Sequence, residues 1–359
     1  MTTPVTVGVI ANPASGRDIR RLTTHASVFP TAEKANMVVR LLAGLGALGV
    51  ERVLTLRDRT GVAALVLRAL ETHAAVARHE RWPVVEFIDL PISESVADTH
   101  VGVAHMVREQ VALIAVLGGD GTHRAVAAHC GDTPLLALST GTNNAFPELR
   151  EATVAGLAGA IVATGAVPAE TALVRNKRLV ARCVEGPNRG REEIALVDIC
   201  VSRQPFIGAR AISDSSDIES LFLAFAPPDG IGLASIGGAW APVGRDAAHG
   251  LHMTFSHASA RGREGEGEGV PLIAPIAPGR IERLTMRTCE RLEVGMALPL
   301  DADHGTLAFD GEREIEPARG DRYEIALDWS GPLTVDVART LRYAASHQLL
   351  RQAAAYGAA

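Results

Sequence analysis

Short apolar segments alternate with helical segments over residues 4–138, and this alternation restricts the possible folds more than any other feature. Strand-length runs that are apolar on both faces occupy residues 4–10, 50–56, 84–90, 111–117 and 134–138. Segments with helical periodicity lie between them, at residues 31–43, 61–77, 97–109 and 123–129. Strands that are buried on both faces and joined by helices form a parallel sheet covered on both sides. We therefore expect an α/β domain over residues 1–165.

The pattern changes near residue 165, where short strand candidates separated by turns replace the helices. These candidates are residues 178–185, 194–202, 221–226, 251–256, 282–288, 306–309 and 322–327. Their weak helical periodicity predicts an antiparallel all-β domain over residues 166–333, with a polar, Gly-rich surface loop at 261–269. Residues 334–359 regain helical periodicity. A single final helix must bury its apolar face, so we expect it to pack back on the first domain.

The composition excludes several classes of function. The net charge is −6, without the basic surplus that nucleic-acid binding requires. No apolar run reaches the ~18 residues of a membrane span, and residues 1–10 lack the layout of a signal peptide. The four cysteines are far apart, which fits buried thiols in a reducing cytosol. We expect a cytoplasmic protein that binds neither nucleic acid nor membranes.

Lysine is scarce, and this restricts how the chain can bind phosphate. Lys34 and Lys177 are the two lysines among 35 basic residues. A Walker A loop needs Gly-Lys followed by Ser or Thr, and neither lysine stands in that context or in that of a protein kinase or a pyridoxal enzyme. A phosphate-handling site in this chain would therefore use backbone amides, a metal ion or arginine.

The most informative motif is Gly118-Gly119-Asp120-Gly121-Thr122, which follows the most apolar strand and opens a helix. Consecutive glycines let backbone N–H groups approach a polyphosphate, and the helix N-terminus adds a favourable partial charge. A carboxylate among phosphates is repelled unless it holds Mg²⁺ or accepts a proton, so Asp120 indicates assisted phosphoryl transfer. A tight glycine turn with Asp120 as the helix cap is an equally supported alternative.

Two other polar loops also follow strands: Asn12-Pro13-Ala14-Ser15-Gly16 and Ser139-Thr140-Gly141-Thr142-Asn143-Asn144. Ligands of open α/β sheets bind at the carboxyl ends of strands, so three such loops predict one shared crevice. Gly44, Gly46 and Gly49 have the spacing of a dinucleotide-binding motif, but they end a helix and precede a strand. We interpret these three as glycines that terminate the helix.

Together these motifs resemble a known superfamily, the one that joins NAD kinases with diacylglycerol and sphingosine kinases. The residues that carry this resemblance are Gly118–Thr122, Asn12 with Ser15 and Gly16, and later Leu196-Val197-Asp198, 226–230, 274–279 and Phe309-Asp310-Gly311-Glu312. The chain as a whole is similar to the ATP-NAD kinase-like subgroup, also called acetoin-catabolism protein AcoX. The resemblance implies an α/β domain, an all-β domain and a cleft between them.

The resemblance also implies a reaction and a set of site residues. Mg²⁺ would assist transfer of a phosphoryl group from ATP or polyphosphate to the 2′-hydroxyl of NAD, giving NADP. Asp120 would be the metal-associated carboxylate or the base. The implied nucleotide-binding residues are Asn12, Ser15, Gly16, Gly118, Gly119, Gly121, Thr122, Gly141, Thr142, Asn143 and Asn144, with Asp198 contacting the acceptor. Homo-oligomers are usual among similar kinases, so we expect one here.

Two departures from the NAD kinase pattern leave alternatives open. Val197 stands where NAD kinases carry a substrate-contacting Asn, and its side chain cannot replace those hydrogen bonds. The segments 141–144 and 310–312 are more similar to the lipid-kinase branch, in which the Glu of Asp-Gly-Glu can act as a base. Glu312 is therefore a second base candidate, although Asp-Gly is also a common hairpin turn. A lipid or small-polyol kinase and a non-catalytic nucleotide-binding regulator remain alternatives.

Overall fold

A computed structural model of the protein describes residues 3–15, 23–76, 81–212, 215–256, 269–301 and 305–351. Seven strands form its first sheet: β1 (Thr6–Ala11), β2 (Arg52–Thr55), β3 (Val84–Phe87), β4 (Leu113–Gly118), β5 (Leu135–Ser139), β6 (Leu173–Arg175) and β18 (Leu333–Val335). Their order is β3-β2-β1-β4-β5-β18-β6, and all neighbours are parallel except β18 and β6. The chain order reverses between β1 and β4, so a crevice opens at their carboxyl ends.

Helices cover both faces of this sheet, as the alternation of segments predicted. The described helices are α1 (Thr31–Ala47), α2 (Val62–Val76), α3 (Val96–Arg108), α4 (Asp120–Ala127), α5 (Ala152–Ala163), α6 (Ala169–Ala172), α7 (Ala234–Trp240) and α8 (Val337–Ser346). Val7 and Val9 of β1 are buried in one core with residues of α1 and α5. Ile10 points to the opposite face and is buried with residues of α3 and α4. The predicted α/β domain with a parallel sheet is confirmed.

The second half of the chain forms two antiparallel sheets. Their strands are β7 (Arg178–Glu185), β8 (Glu192–Ala195), β9 (Asp198–Ser202), β10 (Ile218–Leu223), β11 (His249–Ser256), β12 (Val270–Ala277), β13 (Arg280–Glu293), β14 (Ala297–Asp301), β15 (Thr306–Phe309), β16 (Glu312–Ile315) and β17 (Arg322–Asp328). One sheet has the order β12-β13-β11-β10-β9-β15-β16 and the other β14-β17-β7-β8. A single apolar core contains residues of both sheets. The predicted all-β domain is confirmed.

Three details differ from the sequence-based expectation. Residues 194–202, predicted as one strand, divide into β8 and β9 of different sheets, because the chain turns at Leu196 and Val197. The helix α5 was not expected, because it is rich in Ala and Gly and apolar around most of its circumference. The strand β12 was not expected because Pro271 and Pro275 argue against a strand; it lies at a sheet edge, where proline is tolerated.

Close packing of α1 explains the glycines with dinucleotide-motif spacing. A Cβ on Gly44 would lie 2.5 Å from the carbonyl oxygen of Thr153, and one on Gly46 would overlap the carbonyl oxygen of Arg81. Gly49 follows the end of α1 with a φ of +94°, which favours glycine. The interpretation as a helix-terminating glycine is therefore confirmed for Gly49. Gly44 and Gly46 lie inside the helix and let other segments of the chain pack closely against it.

The chain returns to the first sheet at its end. The strand β6 still pairs within this sheet, so the chain leaves it after Arg175 and not at the expected boundary near residue 165. The final helix α8 buries Val337, Thr340 and Ala344 against the first domain, as expected. The expected apolar positions Leu349 and Leu350 remain 37% and 43% exposed. Residues 352–359 and most of the predicted Gly-rich loop, 261–268, lie outside the described residues.

None of the described helices is both long enough and apolar enough to span a membrane.

Candidate functional site

A cavity of about 1220 Å³ opens at the carboxyl ends of β1, β4 and β5, between the two domains. Three polar loops of the first domain, residues 12–15, 118–122 and 139–146, are here called the first-domain wall, and they line the cavity with residues 12–15, 119–122 and 140–144. On the opposite side the β domain contributes Glu193, Asp310, Glu312 and Glu314, here called the β-domain wall, beside Arg178, Glu192 and Arg210. The predicted crevice is therefore bordered by both domains.

Side-chain hydrogen bonds join the three loops of the first-domain wall directly. Asn12 donates through Nδ2 to Oγ1 of Thr122 (2.8 Å), and the hydroxyls of Ser15 and Thr140 are 2.8 Å apart. The third loop is closed internally by a bond from Asn144 Nδ2 to Oγ of Ser139 (2.7 Å). The predicted convergence of the loops is confirmed by these contacts. Gly16, expected in the same loop, lies outside the described residues.

The glycine turn is tight because side chains from two loops fill the space beside it. A Cβ on Gly118 would lie 2.5 Å from Thr122, and one on Gly119 would lie 2.8 Å from Oδ1 of Asn144. The buried ring of His123 supports the turn from below by donating from Nδ1 to the carbonyl of Gly119 (2.9 Å). Burial lowers the pKa of His123 to about 4, so this ring is neutral.

Asp120 connects the glycine turn to the third loop. Its carboxylate accepts hydrogen bonds from the backbone N–H groups of Ala145 (3.0 and 3.1 Å) and Phe146 (2.8 Å). The N-cap of α4 is Gly119, and Asp120 is the first helical residue. The helix-cap alternative for Asp120 is therefore wrong, because its carboxylate binds amides of a different loop.

Residues 141–143 of the third loop contact the segment around Ser27 and line the cavity. Thr142 Oγ1 accepts a hydrogen bond from the N–H of Ser27 (3.1 Å), which places Gly141 near the same segment. Asn143 lines the cavity, and its Oδ1 is buried without a hydrogen-bond partner among the described residues. A buried amide oxygen without a partner is unfavourable.

Lys34 lies directly beneath the first loop. Its buried Nζ donates to the carbonyl oxygens of Asn12 (3.2 Å), Pro13 (3.0 Å) and Ser15 (3.0 Å). The sequence analysis missed this residue. Its position was readable, because Lys34, Met37, Val38 and Leu41 follow the i, i+3, i+4, i+7 spacing of the buried helix face. One of the two lysines thus stabilises the loop through its carbonyls.

On the β-domain wall, Asp310 is a buried carboxylate that several backbone amides hold. It accepts hydrogen bonds from the N–H groups of Leu196 (3.0 Å), Val197 (2.8 Å) and Asp198 (3.3 Å). These bonds satisfy the amides where β8 and β9 separate, which explains the division of the predicted strand. Burial raises the pKa of Asp310 to about 7, and the charge of Asp120 adds to this rise whereas Arg124 opposes it.

Arg124 reaches from α4 to the β-domain wall. Its guanidinium lies 3.1 Å from Glu193, 2.8 Å from Glu314 and 3.7 Å from Asp310. Burial alone would lower the pKa of Arg124, but the three carboxylates raise it, so the residue stays cationic. Sequence analysis missed this cluster, because Arg124, Glu193 and the 310–314 segment are distant in sequence and no motif links them.

Glu312 lies beside the glycine turn. The turn before it has positive φ at Asp310 (+51°) and Gly311 (+75°), as in a two-residue hairpin between β15 and β16. Glu312 lines the cavity, and a Cβ on Gly121 would lie 3.5 Å from its carboxylate. Residues 310–311 therefore form a hairpin turn, and this turn lies at the cavity and is not fully exposed.

Asp198 and Val197 face away from the cavity. The Asp198 side chain is 4% exposed, and its Oδ1 accepts a hydrogen bond from the N–H of Gly311 (3.1 Å). Val197 is 1% exposed and belongs to the core of the β domain. Neither residue is among those that line the cavity. Asp198 thus holds the Asp310-Gly311 turn, and the apolar residue at position 197 leaves the cavity wall unchanged.

Comparisons with known proteins agree with this architecture. Residues 7–167 match the ATP-NAD kinase N-terminal domain, and residues 177–330 match the acetoin catabolism protein X C-terminal domain. Acetoin catabolism protein X of Cupriavidus necator is 42% identical over 345 residues, covering 96% of this chain and 94% of that protein. A crystal structure of yeast NADH kinase complexed with NADH covers 99% of this chain and 91% of its own, with a TM-score of 0.50 and 15% identity.

The structural match at 15% identity supports the NAD kinase-like fold alone. The sequence match extends over nearly the whole of both chains, so it decides the family. The expected resemblance is confirmed, and the chain belongs to the acetoin catabolism protein X family.

Proposed function

We propose that this protein is a phosphotransferase that moves the terminal phosphoryl group of ATP, or of polyphosphate, to an alcohol. The observation that carries this proposal is that Asp120 and Glu312, one from each domain, both line the cavity, with the Glu312 carboxylate beside Gly121 of the glycine turn. Asn143 lines the same cavity, and its buried amide oxygen has no hydrogen-bond partner in the described part of the chain. The kinase-like fold of the family agrees with this chemistry.

In this proposal the two carboxylates have different roles. Glu312 accepts the proton of the acceptor hydroxyl. The oxygen of that hydroxyl then bonds to phosphorus as the bond between phosphorus and the leaving phosphate oxygen breaks. Asp120 is held by two amides of its own domain, so its place relative to the glycine turn is fixed before a nucleotide binds. The amides of the turn and of α4's first residues face developing negative charge at a helix N-terminus.

A metal ion is part of the proposal, and Asp120 is the residue we expect to associate with it. Within the described ranges, no three His, Cys, Asp or Glu side chains are placed to hold an ion together. Mg²⁺ commonly binds through one or two carboxylates together with substrate phosphates, so Asp120 and Glu312 fit an ion that enters with the nucleotide. When bound, Mg²⁺ would neutralise charge on the transferred phosphoryl group.

The acceptor we favour is the 2′-hydroxyl of NAD, which would give NADP. The substitution at Val197 argued against NAD when only the sequence was considered. Because Val197 is buried in the core, it removes no polar group from the cavity. The same finding weakens the alternative of a non-catalytic regulator, which rested on that substitution.

A second candidate, a lipid or small-polyol kinase, is favoured by one specific observation. The Asp310-Gly311-Glu312 turn, which is similar to that of the lipid-kinase branch, places Glu312 at the cavity. Acceptors of this class carry an uncharged hydroxyl next to the acidic β-domain wall, whereas NAD brings a diphosphate.

The experiment that separates these candidates is a parallel transfer assay. The full chain is incubated with ATP or polyphosphate, with Mg²⁺, and with NAD, diacylglycerol or small diols as acceptors. We expect NADP as the main product. Faster transfer to a diol or to diacylglycerol would support the second candidate, and tight nucleotide binding without any transfer would support the regulator.

Light scattering on the same preparation tests the expected homo-oligomer, and cell fractionation tests the expected cytoplasmic location.

A further inference from the structure

Arg245 lies behind the loop that holds the candidate carboxylate. It belongs to the segment between α7 and β11 of the β domain, and its Nη2 donates to the carbonyl oxygens of Ala145 (2.8 Å) and Phe146 (2.6 Å). The guanidinium is enclosed by two aromatic rings, 4.9 Å from the centroid of Phe146 and 4.4 Å from that of Phe225. A cation of the β domain is thus hydrogen-bonded to a loop of the first domain.

The bonds of Arg245 and those of Asp120 meet on the same residues. Ala145 and Phe146 present their carbonyl oxygens to Arg245 and their N–H groups to the carboxylate of Asp120. The Ala145 carbonyl and the Phe146 N–H belong to one peptide group, so the cation polarises the group that donates to the carboxylate. Hydrogen bonds in such a chain strengthen one another.

This arrangement carries a cost that packing alone does not explain. Burial lowers the pKa of Arg245, although the charges of Glu148 and Asp120 oppose this shift. Among the described residues no carboxylate forms an ion pair with the guanidinium, which relies on carbonyl oxygens and ring faces. An enclosed cation is expensive unless its environment compensates it, and an apolar side chain between two Phe rings would pack at lower cost.

We propose that Arg245 is a positioning residue of the candidate site, which fixes the peptide groups that hold Asp120 and so couples its carboxylate to the β domain. Its kinetic consequence rests on the proposed function. Its structural consequence does not, because the order of the 145–146 peptide groups is measurable in the protein without substrate.

The structural test is hydrogen exchange by mass spectrometry on the full chain, comparing Arg245→Met with Arg339→Met. Arg339 is the control, since it also donates to a backbone carbonyl, that of Leu173 (3.1 Å), which lies outside the 139–148 segment. We expect amides of residues 139–148 to exchange about tenfold faster in Arg245→Met, as the loss of one or two hydrogen bonds predicts. Unchanged exchange in this segment would overturn the inference.

The kinetic test is a double-mutant cycle with Asp120→Asn. If Arg245 acts through Asp120, Arg245→Met lowers kcat about tenfold in the wild-type background, leaves the KM for ATP within about twofold, and has no further effect beside Asp120→Asn. Arg245→Lys, which keeps the charge, should recover part of kcat. Effects that multiply in the double variant would overturn the inference. Faster exchange of residues 139–148 without transfer to any acceptor would refute the proposed function and leave the positioning of Asp120 by Arg245 supported.

Discussion

The two walls of the cavity are built in different ways. The first-domain wall consists of consecutive residues at strand ends, joined by neutral amides and hydroxyls such as Asn12 with Thr122 and Ser15 with Thr140. The β-domain wall consists of carboxylates from two distant segments, Glu193 of β8 and residues 310–314 around the β15–β16 turn. They meet because β8 leads directly into β9, which neighbours β15 in the other sheet, and because Arg124 reaches across to them. One wall depends on local turn geometry, and the other on long-range charge compensation.

This difference teaches where each wall is vulnerable. Neutral hydrogen bonds contribute about 1 kcal/mol each and are nearly independent of pH. A buried cation among carboxylates contributes little net stability but is costly to break, and its balance changes with pH. The two walls should therefore respond differently to substitution, acid and salt.

The largest expected effect is on catalysis, at the carboxylate that the first-domain wall holds. Asp120→Ala should lower kcat at least ~10³-fold, which corresponds to roughly 4 kcal/mol of barrier, with the fold intact by circular dichroism. Glu312→Gln on the opposite wall should cause a smaller loss that rising pH partly compensates, as expected when a base is removed. Near-normal turnover of Asp120→Ala would exclude this residue from the mechanism and leave the β-domain wall as the reactive one.

The next effect is on stability, at the cation that bridges the walls. Arg124→Met leaves Glu193, Asp310 and Glu314 without their shared cation, so we expect a loss of about 3 kcal/mol in the free energy of unfolding, measured with urea at pH 7.5. The loss should be smaller at pH 5.5, where Asp310, whose pKa burial raises to about 7, is protonated. Arg182→Met, which breaks an exposed pair with Glu192, is the control and should leave stability unchanged. An equal loss at both pH values would show that Arg124 acts through packing.

The pH dependence of stability sharpens the comparison further. Burial raises the pKa of Asp310 from 3.8 to about 7, so the folded state binds this proton more tightly than the unfolded state. Stability from this group is complete below pH 3.8 and is lost as pH rises through 7. Between pH 5 and pH 7.5 the loss is on the order of 2 to 3 kcal/mol.

The measurement is the difference in unfolding free energy between wild type and Asp310→Asn across this range. Wild type should fall relative to the variant as pH rises, because the variant cannot ionise at this position. A constant difference would contradict a raised pKa for Asp310.

The two walls also differ in how far the sequence predicted them. The first-domain wall was predicted almost completely, because each loop follows an apolar strand and parallel strands end at one edge of the sheet. Gly118 and Gly119 were placed correctly, but the structure gives them a packing role against Thr122 and Asn144. Local patterns specify such loops because their contacts are set by neighbouring strands.

The β-domain wall was predicted only at Glu312, through the resemblance of Asp310-Gly311-Glu312 to the lipid-kinase branch. Glu193, Glu314 and Arg124 stand in no motif, and their meeting depends on strand order, which turn and strand propensities do not encode. For Asp198 the motif was recognised, and the structure adds that its carboxylate accepts a hydrogen bond from the N–H of Gly311. Arg245 escaped prediction because its partners are backbone carbonyls, which have no sequence signature.

The smallest expected effect lies in the neutral wall and tests whether it really is local. Ser15→Ala removes one of two paired buried hydroxyls and leaves that of Thr140, so we expect a loss of about 1 kcal/mol in unfolding free energy, independent of pH between 5 and 8. Ser15→Ala combined with Thr140→Val should cost less than the sum of the two single changes, since both then remove the same bond. The matched control is Thr254→Val, which breaks an exposed hydroxyl pair with Thr288 at 2.7 Å and should have little effect. If Ser15→Ala instead depends on pH as strongly as Arg124→Met does, the first-domain wall is coupled to the charged cluster, and the two walls form one electrostatic unit.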